Sequence, residues 1–137
     1  MSLRDLHREL AERGFRHLWW AEGSATLSML DLEIRRDGST WSVADTERGE
    51  VIEDHGSWAD ESDACRAYLA LVDTRYWHLT DLPDAAAADA LQRALEGAGI
   101  ASQRNDRPDD ARPGNYIPRL FVPGDRYREA RRLAGLG

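Results

Sequence analysis

The sequence predicts an α+β fold built from two small sheet-plus-helix halves, and three observations lead there. Residues 25–58 alternate apolar and polar side chains around an Asp37-Gly38 pair, the dipeptide that turns one strand back on the next. Capping residues stand just ahead of helix-period segments at Ser2, Asp60 and Asp84. After residue 75 the apolar runs shorten and alternate between strand and helix character, giving the order β-α-β-β-α. With the first half reading α-β-β-β-α, the expected division is an acidic meander subdomain over 1–73 and a second subdomain over 74–137. About 70 residues is marginal for an independent core, so the halves are expected to pack as one unit.

Taken in order, Ser2 opens a helix whose stripe is Leu3, Leu6, Leu10 and Ala11, and Gly14 ends it in the left-handed conformation that glycine tolerates. Phe15 to Trp20 is an aromatic-rich strand or connection. Ala25 to Arg36 reads as one strand with a bulge near Met29–Leu30. Asp37-Gly38 returns the chain into Thr40–Ala44, Glu47-Arg48-Gly49 forms a second turn, and Glu50 to Trp58 is an edge strand with Val51 and Trp58 inward. Asp60 caps a helix over 61–72 with acids in its first turn, where they complement the helix dipole.

In the second half Tyr76–Leu79 is a strand and Asp84–Glu96 an alanine-rich helix opened by Pro83 and Asp84. Ile100–Gln103 is a strand and 105–115 a polar loop. Tyr116–Val122 is a third strand, with Pro118 suited to an edge because it has no N–H to give a ladder. Gly124–Ala134 is a closing helix.

Charge is distributed unevenly. The chain has a formal net charge of −7, and residues 1–72 hold 8 arginines against 15 acids while residues 73–137 hold 10 of each. An acidic first half argues against nucleic-acid or anionic-membrane binding, which need a basic surface. It suits a basic partner. No stretch approaches the roughly 18 apolar residues of a membrane span, and the N-terminus lacks the apolar run of a signal peptide, so the cytoplasm is expected. Cys65, the one cysteine, lies in an apolar helical pattern and reads as a buried small hydrophobe.

Chemistry-bearing patterns are sparse. His7, His17, His55 and His78 show no i, i+3 or i, i+4 pairing and no companion cysteines, so no metal is expected. No Gly-x-Ser-x-Gly elbow and no glycine-rich phosphate loop is present, and Gly97-Ala98-Gly99 follows a helix where a phosphate motif precedes one. The expectation is a protein that is not an enzyme and carries no cofactor. Trp19, Trp20, Trp41, Trp58 and Trp77 are large enough to supply core; consecutive Trp19 and Trp20 point to opposite sides if extended, which leaves one available as an interface anchor.

The run of strand, Glu47-Arg48-Gly49, strand, Trp58, Asp60-Glu61 and Ala64-Cys65-x-x-Tyr68-Leu69 resembles the small immunity proteins that neutralise bacterial polymorphic toxins, over roughly residues 10–72. Residues 76–134 resemble small ferredoxin-like signal-transducing domains, through Ala90-Leu91-x-x-Ala94-Leu95-x-x-Ala98-Gly99-Ile100 and Leu120-x-Val122-Pro123 leading into Ala130-x-x-Leu133. Both resemblances imply action by binding. The first implies an inhibitor that occludes the active site of a cognate toxin, a nuclease or an NAD-degrading enzyme with a basic surface. The residues expected to meet it are Glu47, Arg48, Glu50, Glu53, Asp54 and His55, with Trp19 or Trp20 as anchor. The second leaves a regulatory or adaptor module as the alternative.

Overall fold

A computed structural model describes residues 1–137 and is α+β throughout, with two small antiparallel sheets and their helices. The chain separates into two compact units, Met1–Leu71 and Val72–Gly137. In the first, α1 (Leu3–Arg13) is followed by β1 (Leu18–Trp19), β2 (Thr26–Met29), β3 (Leu32–Asp37), β4 (Thr40–Glu47) and β5 (Glu50–Trp58), and then by α2 (Glu61–Thr74), whose last turn crosses the division. The five strands pair in sequence order, as a meander.

Sequence chemistry explains the first unit element by element. Ser2 and Asp5 form a reciprocal capping box on α1, each side chain taking the other's backbone N–H, and Gly14 closes the helix at φ 97°. Leu27, Ile34 and Val43 are register partners across β2, β3 and β4 and are fully buried, so they define the core face of the sheet. Buried Leu3, Leu6 and Leu10 of α1 and Ala64, Cys65 and Tyr68 of α2 complete that core. The Tyr68 hydroxyl, wholly buried, donates to the Leu32 carbonyl at 2.8 Å, which satisfies a group that is costly to bury alone.

Two expectations change here. The single strand over 25–36 is instead the hairpin β2–β3, turning at Leu30–Asp31 with Leu30 at φ 53°. Leucine gives no turn signal, since this conformation normally selects Gly or Asn. Val51, expected inward, is 55% exposed. The β4–β5 ladder has two register breaks, which leave Ile52 and His55 as extra residues on β5 and shift the faces on either side.

The second unit holds β6 (Tyr76–Asp81), α3 (Ala85–Gly97), β7 (Gln103–Pro108), β8 (Tyr116–Pro123), a short 3₁₀ turn at Gly124–Arg126 and α4 (Tyr127–Leu133). Strand order β6-β8-β7, all antiparallel, is that of a split β-α-β unit. Its core is Trp77, Leu79, Ala88, Leu91, Leu95, Ile100, Leu120, Val122, Tyr127 and Ala130. Asp84 caps α3 by accepting from Ala87 N–H at 2.8 Å, and the Arg126 guanidinium covers its other end by donating to the carbonyls of Ala98 and Gly99.

The strand expected at Ile100–Gln103 begins only at Gln103 and runs into the segment expected as loop, because Gln-Arg-Asn-Asp-Arg-Pro shows no alternation and is tolerated at a sheet edge. Pro118, expected at an edge, lies in the central strand. It sits where the β6 ladder ends, one residue beyond the Asp81–Arg119 pair, and its carbonyl accepts from Leu82 N–H at 2.9 Å. N–H and C=O of a strand residue face the same neighbour, so the donor that proline lacks would have met only the end of β6.

Candidate functional site

The β4–β5 hairpin carries the densest group of uncompensated charge. Its tip is a two-residue turn in which Arg48 and Gly49 both have positive φ, 52° and 83°, as a type I′ turn requires. Glu47 and Glu50 stand opposite each other across it. With Arg48 and Ile52 they line an open concavity of about 500 Å³.

Most other acids of the same unit are occupied, Glu12 and Asp31 being the exceptions. Glu9 pairs with Arg13 at 3.0 Å, Glu22 with Arg4, Glu33 and Asp37 with Arg35 at 3.8 and 3.3 Å, and Asp63 with Arg66 at 3.8 Å. Glu61 accepts from Leu3 N–H and Asp60 from Ser62 N–H, so these two serve helix ends. Glu47, Glu50 and Glu53 have no arginine partner, and Asp54 accepts only the Gly56 N–H, at 2.8 Å. All four are exposed. Arg48, the one cation among them, forms no ion pair.

The eight residues expected to meet a partner divide into four groups. Glu47, Arg48 and Glu50 share the hairpin tip. Trp19 and Asp54 end one cross-strand row, Trp19–Ser28–Glu33–Ala44–Asp54, on the face opposite the Leu27–Ile34–Val43 core row. Trp19 is 56% exposed, but four strand spacings, roughly 19 Å, separate β1 from β5. Glu53 and His55 lie on the core side, around Asp45, whose carboxylate is 2.7 Å from His55 Nε2. Trp20 is half-buried, its ring 5.4 Å from that of His7 and its indole N–H donating to the Ser24 carbonyl at 3.2 Å. Trp19 is therefore the tryptophan free to touch a partner.

Asp45 was missed by sequence reasoning, because it meets Glu53 and His55 only through the two register breaks. Cys65 has no nucleophilic character: it is fully buried, and burial pushes its thiol up to about 12, with the Glu61 carboxylate adding to the shift. No helix is long and apolar enough to cross a membrane. No protein-family model matches this chain, and no match was found among curated proteins or solved structures.

Proposed function

We propose that this chain is an immunity protein: a non-enzymatic inhibitor that binds a cognate bacterial toxin and occludes its active site. One observation carries the reading. Four carboxylates, Glu47, Glu50, Glu53 and Asp54, are concentrated on a single hairpin and left without internal cations, while most acids around them are paired or capping. Such a cluster repels itself in the free protein and is relieved by a positively charged surface. A toxin that cleaves nucleic acid or NAD needs a basic cleft for phosphates, and the hairpin tip supplies anions in their place. The inhibitor works in the cytoplasm, where such a toxin would act.

The test is co-expression with a toxin encoded beside this gene, alongside stopped-flow association at increasing salt. The expected result is rescue of growth, with an association rate that falls steeply with ionic strength and drops about 10-fold or more when Glu47, Glu50 and Glu53 are all changed to arginine. Absence of rescue with both proteins soluble would defeat the proposal. The adaptor reading has one observation in its favour. Arg119 lies 5.3 Å over the Phe121 ring, and its Nε is shut off from solvent with no acceptor. A guanidinium so placed suits an anionic ligand on the second unit, and loss of a signalling phenotype in Arg119→Ala, with toxin protection intact, would favour it.

A further inference from the structure

Away from the charged hairpin, the first unit holds a cavity of about 300 Å³ lined by two tryptophans and an unpaired arginine. Its floor is the cross-strand pair Arg36 and Trp41, two residues on from the Leu27–Ile34–Val43 row and on the same side of the sheet. The first turns of α1 and α2, joined by the 3.0 Å bond from Leu3 N–H to Glu61, form walls with the connection from Trp20 to Ala25. Along β4, Trp41 stands six positions from Glu47, roughly 20 Å, so the cavity and the hairpin tip are separate places.

One charge in this cavity is left over. Arg4 and Glu22 pair with each other, and Glu61 holds the Leu3 N–H. Arg36 has no anionic partner, because Glu33 and Asp37, the acids flanking it on β3, alternate to the opposite face and are taken up by Arg35 at 3.8 and 3.3 Å. Its guanidinium lies instead 5.9 Å from the centre of the buried Trp41 ring. Stacking occupies a face of the guanidinium and leaves the N–H groups along its edge, so the indole positions the fork without using a donor. Trp20 adds the apolar part: its indole N–H already donates to the Ser24 carbonyl at 3.2 Å, which leaves only ring surface to a ligand.

We propose that this cavity binds a small carboxylate with a flat apolar body, the carboxylate forked on Arg36 and the ring against Trp20. A planar carboxylate meets the guanidinium edge in two parallel N–H···O bonds. A single negative charge fits better than a phosphate, because the lining already holds two glutamates against two arginines and a second charge would face Glu22 and Glu61 unrelieved. The volume stands at the small end of the range for ligand clefts, about 300–1,000 Å³, which suits a molecule of one ring. Such a site is independent of what the hairpin recognises, and its occupant would tie the first turn of α1 to the end of the sheet.

The experiment titrates the full ¹⁵N-labelled chain with phenylacetate, with phenethylamine and inorganic phosphate as comparison probes, and follows the five indole N–H resonances. The expected result is saturable shifts at Trp20 and Trp41, with millimolar or tighter affinity and no response at Trp19 or Trp77. Phenethylamine and phosphate should each bind about tenfold or more weakly. Arg36→Gln should weaken phenylacetate about tenfold or more, whereas Arg35→Gln, the same loss of charge on the opposite face, should leave it unaltered. Should Arg36→Gln not fold, the place of the wild-type shifts and the ranking of the three probes decide. Absence of saturation, full affinity in a folded Arg36→Gln protein, equal or tighter binding of phenethylamine or phosphate, or shifts confined to the other tryptophans would each overturn the assignment.

Discussion

Changing Gly124 to alanine should unfold this protein more readily than almost any other single methyl addition. Gly124 packs directly on the backbone of Val72, and a Cβ built there would lie 2.0 Å from the Val72 carbonyl oxygen, 2.7 Å from its carbon and 2.8 Å from its Cγ1. A carbon and a carbonyl oxygen need more than 3 Å, so the chain must part by over 1 Å at a backbone contact that no rotamer change can relieve. The same carbonyl accepts the buried Trp77 indole N–H at 2.9 Å, and Gly124 N–H donates to Arg75 at 3.1 Å, so the movement puts both bonds at risk. Overpacking costs about 1–3 kcal/mol and a stranded buried polar group about 1–3 kcal/mol more, against about 0.4–1 kcal/mol gained by stiffening the unfolded chain. The steric and polar terms win, for a net loss of about 3 kcal/mol. Urea denaturation followed by tryptophan fluorescence reads this as a midpoint lowered by about 1–2 M at unchanged slope. Gly97→Ala is the matched control: nothing lies within 4 Å of its Cβ and its φ is ordinary, so that helix position should be neutral or gain up to about 1 kcal/mol. A Gly124→Ala protein within about 0.5 kcal/mol of wild type would refute the packing argument.

Ser2→Ala removes the hydroxyl that accepts Asp5 N–H and should cost about 1 kcal/mol by thermal or chemical denaturation. The Ser2 backbone N–H, then its hydroxyl, hold the Asp5 carboxyl below its ordinary value, so this half of the box stabilises above the unfolded carboxyl's range and is lost as the pH falls through the lowered value; Asp5→Asn should be weaker than wild type at neutral pH and converge on it in strong acid. Cys65, buried and with its thiol pushed up to about 12, should resist a disulfide reagent in the native state and react only as fast as the surrounding fold opens, measured by thiol release with and without denaturant. Arg48→Asn places an Asn-Gly pair in a turn whose two central residues are left-handed, and a gain of about 0.5 kcal/mol in unfolding free energy is expected.

Where local chemistry specifies local structure, the sequence was legible. Ser2, Asp60 and Asp84 cap helices as their residue types suggest, Gly14 ends α1, and both hairpins marked by a glycine turn are present. Legibility failed where tertiary context overrode residue type. Leu30 takes a turn conformation leucine seldom adopts, β7 forms from an almost wholly polar segment because β8 is there to pair with it, and Pro118 occupies a central strand because the neighbouring ladder stops in time. The candidate site divides along the same line. Glu47, Arg48 and Glu50 belong to a turn readable from Glu-Arg-Gly, whereas the Asp45–Glu53–His55 group depends on where the pairing slips, and nothing in residue order fixes that.

The twice-broken pairing of β5 also bears on how the molecule behaves when crowded. Val51 and Ile52 are 55% and 63% exposed on an outermost strand, a combination that ordinarily invites a second chain to continue the ladder and seed fibres. A strand kinked at two places and carrying Glu50, Glu53 and Asp54 along its length makes a poor template for that growth. Whatever approaches this border meets side chains before it can reach amides, so the protein can keep greasy residues in water at high concentration without paying for them in precipitate.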